Sequence, residues 1–270
     1  MQDLAFAGSS LSSRVALTRS QNWLHGLKPI LVVAFGVFAF AGCGAQEAAS
    51  DLDSTDPATP LLVAMGGFTS CKTQLDGATG PRGMGMFQPF SEVLGEISAR
   101  TGKAPDYVIS CFTSAQPVRW ISSRAPDALR ETPLADHLAA IKALTTNDRP
   151  VFLIGHSHGG WLSLKTAIAL VEERNIAGLF SLDPISRINC NPGRLAGCLE
   201  PPRDIPTADY EKVAAGTDLW RNFYQSQTFY LRSGPIDQAD SNTRLRTSHQ
   251  QLDVDPAVWQ SVREATVDLL

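Results

Sequence analysis

The chain has 270 residues, 43% of them hydrophobic and 19% charged, with a formal net charge of −4. That length suits one domain or two small ones, and the balance of residues is that of an ordinary globular protein. The mild acidity argues against a nucleic-acid partner, which would require a basic face.

The N-terminal segment reads as a targeting signal. Arg14, Arg19 and Lys28 precede an uncharged apolar run, PILVVAFGVFAFAG, over residues 29–42. A positive start, an apolar stretch too short for a comfortable membrane span and small closing residues together describe a cleavable signal. The run ends in "FAGC", which resembles the lipobox of bacterial lipoproteins, with Phe40 where Leu is usual. The resemblance implies removal of residues 1–42, lipidation of Cys43, and a place in the bacterial cell envelope, held to the membrane by that anchor. A plain secretory signal cut nearby is the alternative. Residues 43–59 are small, polar and acidic, and are expected to form a flexible tether. The folded domain is expected over residues 60–270.

There are five cysteines. Lipidation of Cys43 leaves an even four, which suits an oxidising compartment. Cys190 and Cys198 close a short loop containing Pro192 and Gly193 and are expected to pair. Cys71 and Cys111, which both follow predicted strands, are then left for each other.

From residue 60 onward strands and helices alternate. PLLVAM (60–65) is a buried-strand run, and FSEVLGEISARTG (90–102) a helix with Phe90, Val93, Leu94 and Ile97 on one face and Gly102 as its stop. DYVISCF (106–112) is a strand, and PLADHLAAIKALT (133–145) a helix. VFLI (151–154) is a short β-branched and aromatic run, as a buried parallel strand should be. Residues 161–174 form a helix without Gly or Pro, and AGLFSLD (177–183) is a further strand. Residues 184–206 read as irregular. Residues 219–231 are strand-like, 243–248 weakly so, and 255–270 form a terminal helix. The pattern predicts a single-domain α/β fold, a mostly parallel sheet with flanking helices.

Between strand 151–154 and the helix that follows lies GHSHGG, residues 155–160. A Gly-x-Ser-x-Gly pattern alone is weak, but at a strand-to-helix switch its glycines have a reason. The turn is sharp, and a Cβ at Gly155 or Gly159 would press on neighbouring backbone. Ser157 is therefore the candidate nucleophile, and it needs a base, an acid that orients the base, and oxyanion donors.

The base is found by elimination. His25 leaves with the signal, His137 lies mid-helix and upstream, and His156 and His158 adjoin the turn and are expected to project away from the serine hydroxyl. His249 remains, in a loop before the last helix. For the acid, Asp183 ends a strand 26 residues after Ser157, on the rim that parallel strands share. Asp237 and Asp240 are rivals, while Asp253 and Asp255 read as capping and solvated residues. After the first strand, Gly66 and Gly67 allow the backbone to turn its N–H groups inward. The oxyanion donors are expected from Gly67 or Phe68 and from His158. No dinucleotide fingerprint, P-loop or internal repeat is present, and no cofactor is expected. His156 and His158 lack a nearby third metal ligand.

Taken together, the Gly66-Gly67-Phe68 loop, the Gly155–Gly159 elbow, Asp183 and the late His249 resemble the α/β-hydrolases of the lipase/esterase group over about residues 60–270. "GHSxGG" is typical of lipases, and "NFYQ" (222–225) and "SHQQLDVDP" (248–256) are similar to small secreted bacterial lipases. In those the acid usually follows the strand matching NFYQSQ, where this chain has Thr228. The resemblance implies a minimal version of the fold, without the family's first two strands. It also implies serine-based cleavage of carboxylic esters, with a small-molecule or lipid ester as substrate. Residues 79–90, rich in Gly and Met, are either a lid or acyl-pocket wall or a solvated loop, and Trp120 and the Cys190–Cys198 loop either line the rim or do not. The competing reading is a surface-anchored interaction lipoprotein that keeps the fold without the chemistry.

Overall fold

The computed structural model describes residues 59–67, 85–112, 117–145, 149–186, 200–227 and 231–268. The chain divides at the Gly42–Cys43 boundary, and every described residue belongs to the C-terminal unit. Cys43, Phe68, Cys71, Cys190, Cys198, Thr228 and most of 79–90 lie outside the described residues, as do the signal and nearly all of the tether. Cys111 is buried in its strand and is disulfide-bonded, with no pairing between two described residues.

Eight strands are found among the described residues: β1 (Leu61–Met65), β2 (Asp106–Phe112), β3 (Val118–Ser122), β4 (Ala125–Thr132), β5 (Val151–His156), β6 (Gly178–Leu182), β7 (Trp220–Gln225) and β8 (Ser241–Leu245). They form one sheet in the order β4-β3-β2-β1-β5-β6-β7-β8. All neighbours pair in parallel except at β3, which runs against both β2 and β4. The flanking helices are α1 (Phe87–Thr101), α2 (Leu134–Leu144), α3 (His158–Val171), α4 (Thr207–Ala215) and α5 (Pro256–Asp268).

Side chains alternate across a strand, so a central strand covered on both faces is apolar throughout. In β1, Leu61, Val63 and Met65 enter the core on the side of α2, α3 and α4, where Ile141, Leu162, Ala167 and Val213 meet them. Leu62 and Ala64 face α1 and α5, among Phe90, Val93, Ile97, Val258 and Val262. Gly102 ends α1 in the left-handed conformation, at φ 71°, with its N–H on the Ser98 carbonyl, as a C-terminal glycine should.

Three elements depart from the sequence reading. The β3–β4 hairpin extends the sheet at one edge, so the fold has more strands than the alternating runs announced. Strand β4 is largely exposed and holds Pro126, which an edge strand tolerates. Helix α4 was not visible in the pattern, since only Tyr210 and Val213 of its nine residues are buried. Strand β7 stops at Gln225, short of residue 231.

The strand ends opposite the site are pinned by Arg149, whose side chain is fully buried. It donates to the carbonyls of Thr59 (2.7 Å) and Leu144 (3.0 Å) and to Asp106 Oδ2 at 2.6 Å. Burial alone would raise the Asp106 pKa, but hydrogen bonds from Arg149, Ser123 and Arg124 outweigh it and hold the carboxyl below its ordinary value. The carboxyl ends of β1, β5, β6, β7 and β8 therefore share the other edge, and each delivers a loop there.

Candidate active site

Strand β5 is buried along its whole length and ends at His156. The next residue, Ser157, turns the chain into α3 with φ 59° and ψ −125°, outside the conformations a side chain favours. Such a residue costs on the order of 1–3 kcal/mol and persists only where its surroundings fix it. Here they do. Its N–H donates to the Leu182 carbonyl at 2.9 Å, and its carbonyl accepts from Trp161 and Ile185. The glycines are required by space. A Cβ on Gly155 would lie 2.3 Å from the Gly159 carbonyl oxygen, and one on Gly159 would lie 1.9 Å from that of Met65.

The loop after β1 closes on the same turn. Gly66 N–H donates to the Ser110 carbonyl at 2.8 Å, which ties the loop to β2 and removes that N–H from consideration as an oxyanion donor. At Gly67 a Cβ would fall 3.2 Å from Ser157 Oγ, so the bare backbone of Gly67 lies against the serine. His158 is the first residue of α3 and is buried. A helix N-terminus carries partial positive charge.

Asp183 follows β6 directly and is, among the described residues, the other non-glycine with positive φ, at 44°. Its side chain is completely buried. Oδ1 accepts the Ser233 N–H at 2.6 Å. Oδ2 accepts from Gln225 Nε2 at 3.0 Å and meets His249 Nδ1 at 2.7 Å. His249 Nε2 in turn lies 2.9 Å from Ser157 Oγ. Three residues that span 92 positions of sequence thus form one unbroken hydrogen-bonded chain. The arrangement sets the tautomer: with the imidazole proton on Nδ1 toward Asp183, Nε2 presents its lone pair to the serine hydroxyl.

The rival acids are elsewhere. Asp237 is exposed, and Asp240 accepts the Trp220 N–H at 2.6 Å at the start of β7. Asp255 caps α5 by accepting the Ala257 N–H. Asp253 is not solvated as the sequence suggested. It lies behind the site, with Oδ2 at 3.8 Å from His156 Nδ1, and burial pushes its pKa up to about 6. His156 turns toward the base, its Nε2 at 2.8 Å from the His249 carbonyl oxygen. Among the described residues no group of three His, Cys, Asp or Glu is placed to hold a metal ion.

Sequence reasoning missed Gln225, Ser233, His156 and Asp253. Gln225 had a signal: it ends the NFYQ strand singled out in the sequence, and it donates to Asp183. Trp120 does not line the rim. It is buried, donates from Nε1 to Thr132 Oγ1 and packs 5.7 Å from the His137 ring. The described part of 79–90 is the start of α1, where Met86 and Phe90 are core residues.

Residues 82–269 match the alpha/beta hydrolase family. No curated protein matches the sequence. Among solved structures, a chain described as RedJ with a PEG molecule bound in the active site is similar at 15% identity and a TM-score of 0.34, over 80% of this chain and 96% of that one.

Proposed function

Because the chain belongs to the alpha/beta hydrolase family, we propose that it is a serine hydrolase that cleaves carboxylic esters through an acyl-enzyme, with Ser157 as nucleophile, His249 as base and Asp183 as the acid that orients it. The observation that carries this reading is the continuous contact from Asp183 through His249 to Ser157 Oγ, at 2.7 and 2.9 Å.

Ser157 Oγ attacks the ester carbonyl carbon while its proton passes to His249 Nε2. Asp183 keeps the imidazole proton on Nδ1 and stabilises the imidazolium that results. The carbonyl oxygen, now negative, is received by backbone N–H groups of the Gly67–Phe68 loop and of His158; each such donor contributes about 3 kcal/mol of transition-state stabilisation. His249 then protonates the leaving alcohol, the tetrahedral adduct collapses to the acyl-enzyme, and water enters by the reverse route to free the acid and restore the serine. All three side chains are buried, so these interactions act where water screens them little.

The same reading includes export, with residues 1–42 as the signal and Cys43 as the lipid anchor. It pairs Cys111 with Cys71 and Cys190 with Cys198. The test is hydrolysis of p-nitrophenyl esters of increasing chain length by the domain from residue 43 onward, beside Ser157→Ala and His249→Ala. Turnover by the wild type and its loss in both variants is expected. Equal turnover by all three would refute the assignment.

A further inference from the structure

We propose that His156 and Asp253 form a positioning pair that braces the base from behind, His156 holding the main chain of His249 and Asp253 facing the outer nitrogen of the His156 ring. The proposal rests on the reading of Ser157 and His249 as nucleophile and base.

His156 is the last residue of β5, and Ser157 follows it. Ser157 lies in the turn beyond the strand, and the two neighbouring side chains reach His249 at different atoms. Ser157 Oγ meets its ring at Nε2, at 2.9 Å, while His156 Nε2 donates to its main-chain carbonyl at 2.8 Å. The two imidazole rings lie 4.8 Å apart, tilted by 36°. The loop that carries the base therefore cannot shift without breaking the His156 bond, and the distance from Nε2 to the serine hydroxyl is fixed from both backbone and ring.

The His156 ring is neutral. Burial, then the charges on His249 and His158, hold its pKa well below the ordinary value, against the opposing effect of its bond to the His249 carbonyl. A neutral ring that donates from Nε2 keeps its lone pair on Nδ1, and Asp253 Oδ2 lies 3.8 Å from that atom. The carboxyl is closely packed: a Cβ on Gly85 would come within 2.8 Å of Oδ2 and 2.9 Å of Oδ1. Trp259 Nε1 donates to the Asp253 carbonyl at 2.8 Å, which fastens the 3₁₀ turn Leu252–Val254 that follows the base.

Among the described residues, the titratable groups facing Asp253 are His156 and His249. Burial raises the Asp253 pKa to about 6, opposed by charge on His249 and by backbone N–H groups of Asp253 and Met86. When ionised, its charge lies behind His249 and favours the imidazolium formed as Ser157 gives up its proton. His249 is then held between two carboxyl groups, one bonded directly and one acting through His156.

The experiment measures fluorophosphonate inactivation rates, kcat and KM for p-nitrophenyl acetate, and pH profiles of kcat/KM, on wild type, His156→Phe, His156→Gln and Asp253→Asn, with a thermal melt of each. His156→Phe is expected to lower the inactivation rate and kcat by about 10²-fold with KM little changed, the order expected for a displacement near 1 Å. His156→Gln supplies an amide N–H for the same carbonyl and recovers most of that loss. Asp253→Asn removes a charge that stabilises protonated His249, so the acid limb of the profile moves to lower pH. A folded phenylalanine variant as fast as wild type, or a glutamine variant as slow as the phenylalanine one, overturns the role of His156. An unmoved acid limb overturns that of Asp253, and this arm stands even where a His156 variant does not fold. Wild type that fails to react at Ser157 defeats the serine-hydrolase reading itself, a different result from a reactive wild type with an equally reactive His156→Phe.

Discussion

Replacing Asp183 with asparagine separates orientation from charge at the centre of the site. In the native protein three donors share two carboxylate oxygens: Ser233 N–H on Oδ1, and Gln225 Nε2 and His249 Nδ1 on Oδ2, at 2.6, 3.0 and 2.7 Å. Asparagine has one oxygen and one NH2 group. If the oxygen faces His249, the NH2 group confronts the Ser233 N–H, a main-chain donor that cannot turn away, at a cost of about 1–3 kcal/mol. If the oxygen faces Ser233, the NH2 group confronts Gln225 Nε2, which keeps its bond to the Leu231 carbonyl, and the imidazole, which adapts by moving its proton to Nε2. The second arrangement is favoured because the imidazole can change tautomer and Gln225 Nε2 retains the Leu231 carbonyl, whereas the Ser233 main chain can do neither. His249 then presents a proton to Ser157 instead of a lone pair and cannot act as base. The expected loss is on the order of 10⁴ in kcat, or about 5 kcal/mol of activation free energy, while stability falls by no more than about 3 kcal/mol. Steady-state hydrolysis of p-nitrophenyl acetate and a urea melt measure the two effects. A folded variant within tenfold of wild type would refute the reasoning, as would an equal loss in Asp237→Asn.

Two further tests address the frame around the site. Gly159→Ala places a Cβ 1.9 Å from the Met65 carbonyl oxygen, whereas Gly95→Ala, mid-helix in α1, meets nothing within 4 Å. The first is expected to destabilise by at least about 3 kcal/mol and the second to stabilise by about 0.5–1 kcal/mol; urea melts of similar midpoint would contradict the packing argument. Burial lowers the His137 pKa to about 4 from its ordinary value of 6.5. The folded state therefore binds fewer protons than the unfolded state between those values, and stability rises with pH across that window, by up to about 3 kcal/mol. His137→Phe should flatten this slope between pH 4 and 6.5. Parallel pH–stability curves for the two proteins would remove the buried, neutral histidine from the account.

Local patterns made the scaffold legible. The glycines of GHSHGG sit where a strand gives way to a helix, and Asp183 and His249 occur where strands end on one edge of a parallel sheet. The contacts that support the site were not legible because they are made only by the fold. Gln225 and Ser233 reach Asp183 from 42 and 50 residues away, and His156 reaches the His249 carbonyl across 93. No local periodicity marks such pairs, and nothing in the sequence shows that the His156 side chain reaches the His249 backbone. Asp253 reads as solvated because its sequence neighbours, Asp255 and Pro256, mark a helix start; the packing of Gly85 against it comes from another part of the chain. The β3–β4 hairpin escaped notice for a different reason: an exposed edge strand buries too little to show alternation.

The proposed function stands on the activation of Ser157 by His249. Intact mass of the domain after fluorophosphonate treatment, with peptide mapping of the adduct, tests it most directly, with Ser157→Ala and His249→Ala treated alongside. One adduct on Ser157 is expected in the wild type, none in Ser157→Ala and a strongly slowed reaction in His249→Ala. An adduct on another residue, or folded wild type that stays unmodified with and without detergent, would contradict it.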